Sequence, residues 1–212
     1  MPCGYGTKYF RTALNCFLQQ DYAGPLELII VDNNTEPIEH LLSTDSRIKY
    51  VRCARMPVGA LRNLGTSYAT GDICISGDED DWSASNRVTE QVRRLQESGK
   101  AVTGWHSLLF YDMYDGVCYR YTHGAPPYCC GTSQCYTKKW WERHKFPAQG
   151  VEDYYFQKEA AEAGQLDSTD AGQLCVVRSH RDSKCPPRFG SAQFPSVPRS
   201  ELPQDFFTCL ES

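Results

Sequence analysis

Ile73-Cys74-Ile75-Ser76-Gly77-Asp78-Glu79-Asp80-Asp81-Trp82 joins a β-prone run to four consecutive acidic residues, and the rest of the chain is organised around that junction. A helical pattern follows, with Val88, Val92 and Leu95 on one face and Ser83 and Ser85 read as its caps. The acidic cluster is therefore expected at the carboxyl end of a buried strand. In open α/β sheets, ligands bind in the crevice beyond such ends. Upstream the same alternation holds. Thr7 reads as the N-cap of an amphipathic helix carrying Phe10, Leu14, Phe17 and Leu18, and Leu26 to Val31 is a continuous apolar strand opening at Asp32-Asn33-Asn34. A short helix over Pro37 to Leu42, a strand over Ile48 to Cys53 and a helix over Val58 to Ala69, closed by Gly71, complete a βα series that signals a parallel sheet flanked by helices.

Downstream the character changes to α+β. Ser107 to Met113 and Val117 to Thr122 flank Tyr114-Asp115-Gly116, a hairpin pattern. Thr137 to Lys145 and Val151 to Ala163 read as helices, and Leu174 to Arg178 as a strand. Beyond Lys184 the prolines at 186, 187, 195, 198 and 203 suit a wrapping tail or linker, with further domains expected C-terminal to it. The expected organisation is one domain over 1–183, with its first half at 1–104 and its second at 105–183, then a Pro-rich tail at 184–212.

The 212 residues carry a net charge of -4 with both signs interleaved, so no basic stripe is present to neutralise nucleic-acid phosphates. No apolar run has the length of a membrane span and no signal-peptide pattern opens the chain, which predicts a soluble cytoplasmic protein. The eleven cysteines are odd in number and scattered, and are read as reduced thiols, most of them small buried apolar residues. Cys129, Cys130 and Cys135 cluster, but without the regular paired spacing of a zinc site.

Four adjacent acids raise one another's pKa unless a cation sits among them, and carboxylate oxygens suit magnesium or manganese. Such an ion would stabilise charge growing on a diphosphate leaving group. A solvated acidic turn capping the next helix is the competing reading. An EF-hand is excluded by the spacing from Asp78 onward.

Asp78-Glu79-Asp80-Asp81-Trp82 with Arg87 resembles the DxDD-W-x4-R signature of glycosyltransferase family 2 and related GT-A enzymes. Met1-Pro2 with the helix after it, Ile29 to Asn33, Leu61-Arg62-Asn63-Leu64-Gly65, Ala69 to Ile73, Gly150-Val151-Glu152-Asp153 and Val177-Arg178-Ser179-His180-Arg181-Asp182-Ser183 resemble further blocks of that family in the same order. The resemblance covers residues 1 to 183. It implies a GT-A fold, a Rossmann-like nucleotide-diphospho-sugar transferase with a mixed, mostly parallel sheet and a smaller α+β acceptor side. It further implies that Asp80, with Asp78 close by and His180 approaching, holds Mn2+ or Mg2+. Asp32 or Asn33 would read the uracil of a UDP-sugar, Pro2, Gly4 and Tyr5 would lie along the base, Glu79 would face the ribose, and Arg62 would support the phosphates or the acidic loop. Asp153 would be the general base and Glu152 would orient it, although acids are also favoured in a helix's first turn for the dipole alone. Of Trp140 and Trp141, one is expected to stack on an acceptor sugar, core packing being the commoner fate of a helical Trp. His106, His123 and His144 have no partner pattern.

Family members begin with a full apolar strand before the Met-Pro position, so here that strand is expected to be missing or a stub. The QxxRW element of processive synthases is absent, which points to transfer of a single hexose or deoxyhexose to a glycan or glycoprotein hydroxyl. Length, cysteine content and the Pro-rich tail also resemble the N-terminal glycosyltransferase domains of multi-domain chlorella virus proteins, which would place the protein in host cytoplasm. A non-catalytic nucleotide-sugar or glycan-binding module is the alternative. A nucleotidylyltransferase would need a Gly-rich phosphate loop that Gly4, Gly6 and Lys8 imitate poorly.

Overall fold

The computed structural model describes residues 1–4, 8–125, 127–148, 150–180, 183 and 189–210. Its first sheet is short and wholly parallel. Strand β1 (Pro2–Cys3) pairs with β2 (Leu28–Asp32), and β2 with β3 (Ile48–Arg52). Because side chains alternate along a strand, Ile30 joins Cys3, Phe10, Leu14 and Ile38 on one face, while Ile29 and Val31 meet Leu61 on the other. Helix α1 (Phe10–Leu18) covers the first face and α2 (Val58–Tyr68) the second, which is why β2 reads as an uninterrupted apolar run. As described, β1 comprises two residues, Pro2 and Cys3. The expected cap Thr7 lies outside the described residues, and the residue at the cap position, Tyr9, makes no side-chain capping bond.

The second sheet is built on β6 (Val102–Asp112), eleven residues long. Its first half pairs with β8 (Cys135–Thr137) and β9 (Leu166–Asp170), and its second half with β7 (Cys118–Thr122) and β10 (Cys175–Ser179). A register shift between Trp105 and Ser107 marks the changeover. Strand β4 (Ile73–Ile75) joins through β8, β5 (Trp82–Ser83) through β10, and β11 (Ser196–Val197) through β7. The mixed α/β architecture with flanking helices is as expected, but parallel pairing does not dominate this second sheet. Of its pairs only β6–β9 and β6–β10 are parallel, because hairpins and short returns supply the other neighbours.

Helix α3 (Arg87–Ser98) follows β5 and ends on Gly99 at φ 62°. Ser83 and Ser85 do not cap it: Ser83 lies in β5, where its Oγ accepts from Arg87 at 2.7 Å. Helices α4 (Lys138–Arg143) and α5 (Glu152–Glu162) flank the β8–β9 end, with Thr137 capping α4 through Trp140 N. The C-terminal stretch is no free linker. Helix α6 (Gln204–Leu210) sets Phe206 edge-on to Trp82 and Tyr111, in a core cluster with Leu109, Val176, Leu202 and Phe207. Ten cysteines are free among the described residues, most of them buried. Among the described residues no helix is long and apolar enough to cross a membrane.

Between the two sheets lies a cavity of about 590 Å³, walled by Ile29, Leu61, Ile73, Ile75, Val92 and Tyr136. Among the described residues β1 and β2 make no ladder with β4 across it. The Met1 ammonium donates to Ile29 O at 2.8 Å beside this space, and burial pushes its pKa down. One end reaches Arg62, Asp78 and Asp81.

Candidate active site

The acidic loop leaves β4 and is pinned at its far end by Trp82, buried against α6 and β10. Its four acids take four different partners. Asp78, partly exposed, accepts from Arg62 at 2.9 Å. Glu79 is turned inward, its Oε1 accepting from the Gly4 backbone at 2.9 Å, and so links the loop to the end of β1. Asp80 Oδ2 lies 2.9 Å from His180 Nε2, within hydrogen-bonding distance. Asp81 is buried, with Oδ1 accepting from Arg178 N at 3.3 Å.

Arg178 completes the support: its Nε donates to the Asp80 carbonyl, its guanidinium donates to Tyr9 O and sits over the Tyr9 ring, and that ring lies 4.8 Å from His180. Burial and the neighbouring acids raise the pKa of both Asp80 and Asp81. In the sequence Arg178 stands out only as part of the closing motif. Its place in β10, two residues before His180, was the available signal.

Arg62 is the junction of the site. It is buried in α2, its Nη2 on Asp78 and its Nε 3.3 Å from Glu152 Oε1. Burial opposes its charge, but Asp78, Glu152 and Asp153 outweigh that and raise its pKa. The approach depends on Gly59, where a Cβ would stand 2.0 Å from Pro147 O and 3.0 Å from Glu152 Cβ. Asp153 follows in the first turn of α5. Tyr154 N donates to its Oδ1 at 2.9 Å, and Oδ2 fills the space a Cβ on Gly131 would take, 2.4 Å away. Gln134, fully buried, donates to the Asp153 carbonyl and fixes the backbone there. Burial first, then Glu152, raises the Asp153 pKa.

Other expected site residues fall elsewhere. Asp32 cannot read a base directly: its buried carboxylate already accepts from Tyr50, Asn34 N, Asn34 Nδ2 and Ile38 N, with Arg52 at 3.1 Å. A carboxylate has about four acceptor positions, and all are taken. These donors outweigh burial and lower its pKa. Asn33 is buried too, donating to Met56 O. Pro2 is buried in β1, and Tyr5 lies outside the described residues, as do Arg181 and Asp182. Trp141 offers no free face, and one face of Trp140 is covered. Trp141 is 6% exposed, bonded to Asn63 and covered by the Lys145 ammonium, and Trp140 is stacked on His144 at 3.8 Å. Both belong to the core behind α4, since the helical repeat that buries one leaves its neighbour on the flank.

Residues 3–155 match the family model described as Glycosyl transferase family 2. Three solved structures share the fold. TarS of S. aureus aligns with TM-score 0.67 at 15% identity over 84% of this chain and 35% of that one. TarS 1-349 in complex with UDP-GlcNAc aligns at 0.67 and 16%, over 85% and 57%. The mannosyltransferase PcManGT from Pyrobaculum calidifontis, in complex with GDP-Man and Mn2+, aligns at 0.66 and 16%, over 85% and 56%. The chain thus spans between about a third and three fifths of the length of these relatives. They give no support to the likeness with chlorella virus proteins. Among curated proteins no sequence match is found.

Proposed function

The chain belongs to glycosyl transferase family 2, and from that premise we propose that it moves a single hexose or deoxyhexose from a UDP-sugar to a hydroxyl of a glycan or glycoprotein. One observation carries the reading. Arg62 bonds at once to Asp78 of the acidic loop and to Glu152 beside Asp153, so a donor-gripping loop and a candidate base are tied together through one buried cation.

The residues present fit a divalent ion. Asp80 is a partly exposed carboxylate whose charged form is disfavoured by burial and by Asp78 and Glu79, and His180 adds an imidazole nitrogen at its side. No group of three or more such ligands exists among the described residues, but Mg2+ or Mn2+ at a diphosphate takes only one or two protein ligands beside phosphate oxygens and water. When bound, such an ion supplies neutralisation of the charge that develops on the departing diphosphate. Asp78 is engaged with Arg62 and would join through water.

The chain's own part is positioning and proton transfer. Asp153 Oδ1 is held by Tyr154 N, which leaves Oδ2 to take the acceptor hydroxyl's proton as that oxygen bonds to the anomeric carbon and the bond to diphosphate breaks. Burial and the neighbouring Glu152 raise the Asp153 pKa, which improves it as a base. Attack from that side inverts the anomeric centre. Arg62 holds Glu152 in place through an ion pair, and Arg178 fixes the loop backbone beneath Asp80. The UDP preference and the cytoplasmic setting remain parts of this proposal, supported by a fold relative bound to UDP-GlcNAc and by the absence of a membrane-spanning helix among the described residues.

A screen of UDP-, GDP- and dTDP-sugars for Mn2+-dependent hydrolysis and thermal stabilisation tests the reading. Turnover of a UDP-sugar is expected, with Asp80→Ala lowering it by about 10³-fold or more. Undiminished turnover in that variant rejects the assignment.

A further inference from the structure

Five large apolar side chains are exposed among the described residues: Tyr68, Tyr114, Val151, Tyr154 and Tyr155. Three of the five fall within a single five-residue run, and that run contains Asp153. Helix α5 does not need them for packing. Its buried side is made of Glu152, Phe156, Gln157 and Ala160, whereas Val151 is 60% exposed, Tyr154 45% and Tyr155 50%.

The run is held in shape. Gly150 turns the chain at φ 85°, and the Tyr155 ring comes within 3.6 Å of where its Cβ would be. Tyr155 N donates to Val151 O, and Tyr154 N donates to the candidate base itself. The two phenol rings stand 5.4 Å apart at 72°, forming an angled ledge. A contiguous apolar patch left in water on an otherwise polar helix face marks a binding surface more often than a packing fault. Phenol rings also suit a specific ligand. A pyranose presents a face of C–H groups that packs on an aromatic ring, while its hydroxyls reach the phenol oxygen at the rim.

We propose that Tyr154 and Tyr155, with Val151, form the platform that binds the acceptor, and that the acceptor is a carbohydrate ring rather than an isolated Ser or Thr of a peptide. The inference rests on Asp153 as the base and names the chemistry of what faces it. The ledge shares the first turn of α5 with Asp153, joined to it by the Tyr154 N bond to Asp153 Oδ1, so an acceptor ring seated there lies beside the candidate base. The ledge is open on its outer side, so a longer glycan continues along it instead of ending in a closed pocket.

The test measures acceptor KM, donor KM and kcat with an oligosaccharide panel and a hydroxyl-bearing peptide, for the parent and for Tyr154→Ala and Tyr155→Ala. Acceptor KM is expected to rise about tenfold or more while donor KM moves less than about twofold, and Tyr→Phe at each site is expected to restore most of the loss. Tyr68→Ala, exposed on another face, serves as the unaffected control. Unchanged acceptor KM in both alanine variants overturns the platform, as does preference for the peptide. If the parent turns over no nucleotide-sugar, the failure belongs to the enzymatic reading. Saturation-transfer NMR of oligosaccharide with the parent then decides the platform alone: transfer lost in Tyr154→Ala and Tyr155→Ala upholds it, and transfer unaltered by both sinks it.

Discussion

The sheet of β1, β2 and β3 and the sheet built on β6 bury their strands to different degrees. Strand β6 has neighbours along its whole length, and its flanks are filled by Trp105, Leu108, Leu109 and the aromatic cluster of Tyr136, Phe146 and Phe156. Strand β2 has a full partner in β3 but only a two-residue partner in β1, and faces the 590 Å³ cavity beyond. Much of what joins the first sheet to the second is polar. Glu27 accepts from Thr70, Gly71 and Lys49 across the cavity mouth, Glu79 accepts from Gly4, and Arg62 ties the acidic loop to α5. The well-filled half carries the candidate base on a helix start. The other half carries its charges on a loop spanned by ion pairs, where the proposed diphosphate and cation would add cohesion.

The largest effect that would break this comparison is functional. Asp153→Asn is expected to lower transfer about 10²- to 10⁴-fold while thermal stabilisation by the donor persists, because grip and proton transfer sit in different halves. In the parent, kcat/KM should fall as pH drops through the Asp153 pKa. Since burial raises that pKa, the fall begins at higher pH than for an ordinary carboxylate. Equal loss of donor binding in the variant, or an unchanged acid limb, would erase the division.

A packing contrast comes next. Ala160 is fully buried against the β8–β9 end and Ala13 borders the cavity. Ala160→Leu is expected to cost about 1–3 kcal/mol through overpacking, whereas Ala13→Leu is expected to be neutral or to stabilise by about 0.5–1 kcal/mol. Urea midpoints measure both, and matching losses would mean the cavity is not usable space.

The smallest effect sharpens the polar side of the contrast. Donors from Thr70, Lys49 and Gly71 outweigh burial and bring the Glu27 pKa down to about 2. A depressed folded-state pKa means the stabilisation is complete above the ordinary carboxylate range and disappears as pH falls through about 2. Glu27→Gln should therefore cost about 1 kcal/mol near neutrality, the figure being reduced for solvent screening of a partly exposed group. The gap from the parent should close on acidification below the usual carboxylate pKa, and a pH-independent gap would assign the effect to packing.

Strong local signals were readable. The apolar run into Asp32, the helix after Met56, the hairpin around Gly116 and the capped α4 all stand where pattern placed them, because each is specified within a few residues. Strands β8 and β9 were not readable: Cys135–Thr137 is three residues long and Leu166–Asp170 is mostly polar, so only pairing with β6 makes either a strand. Helix α6 was hidden behind prolines that end just before it, although Phe206 and Phe207 carried the hint. Chemistry followed the same rule. The acidic loop, Asp153 and His180 stand out in the sequence by type, whereas the contacts that occupy Asp32 and Trp141 come from segments distant in sequence and leave no local trace.

The amino-acid sequence by itself determined the family, the order of local elements and the placement of acids at a strand's end, since each depends on side-chain periodicity and short-range spacing. Only the tertiary structure decided what surrounds each carboxylate. Asp32 and Asp153 are both acids at the end or start of an element, and they differ because Tyr50, Asn34, Ile38 and Arg52 fold onto one, while the other accepts from Tyr154 N and packs its Oδ2 against Gly131.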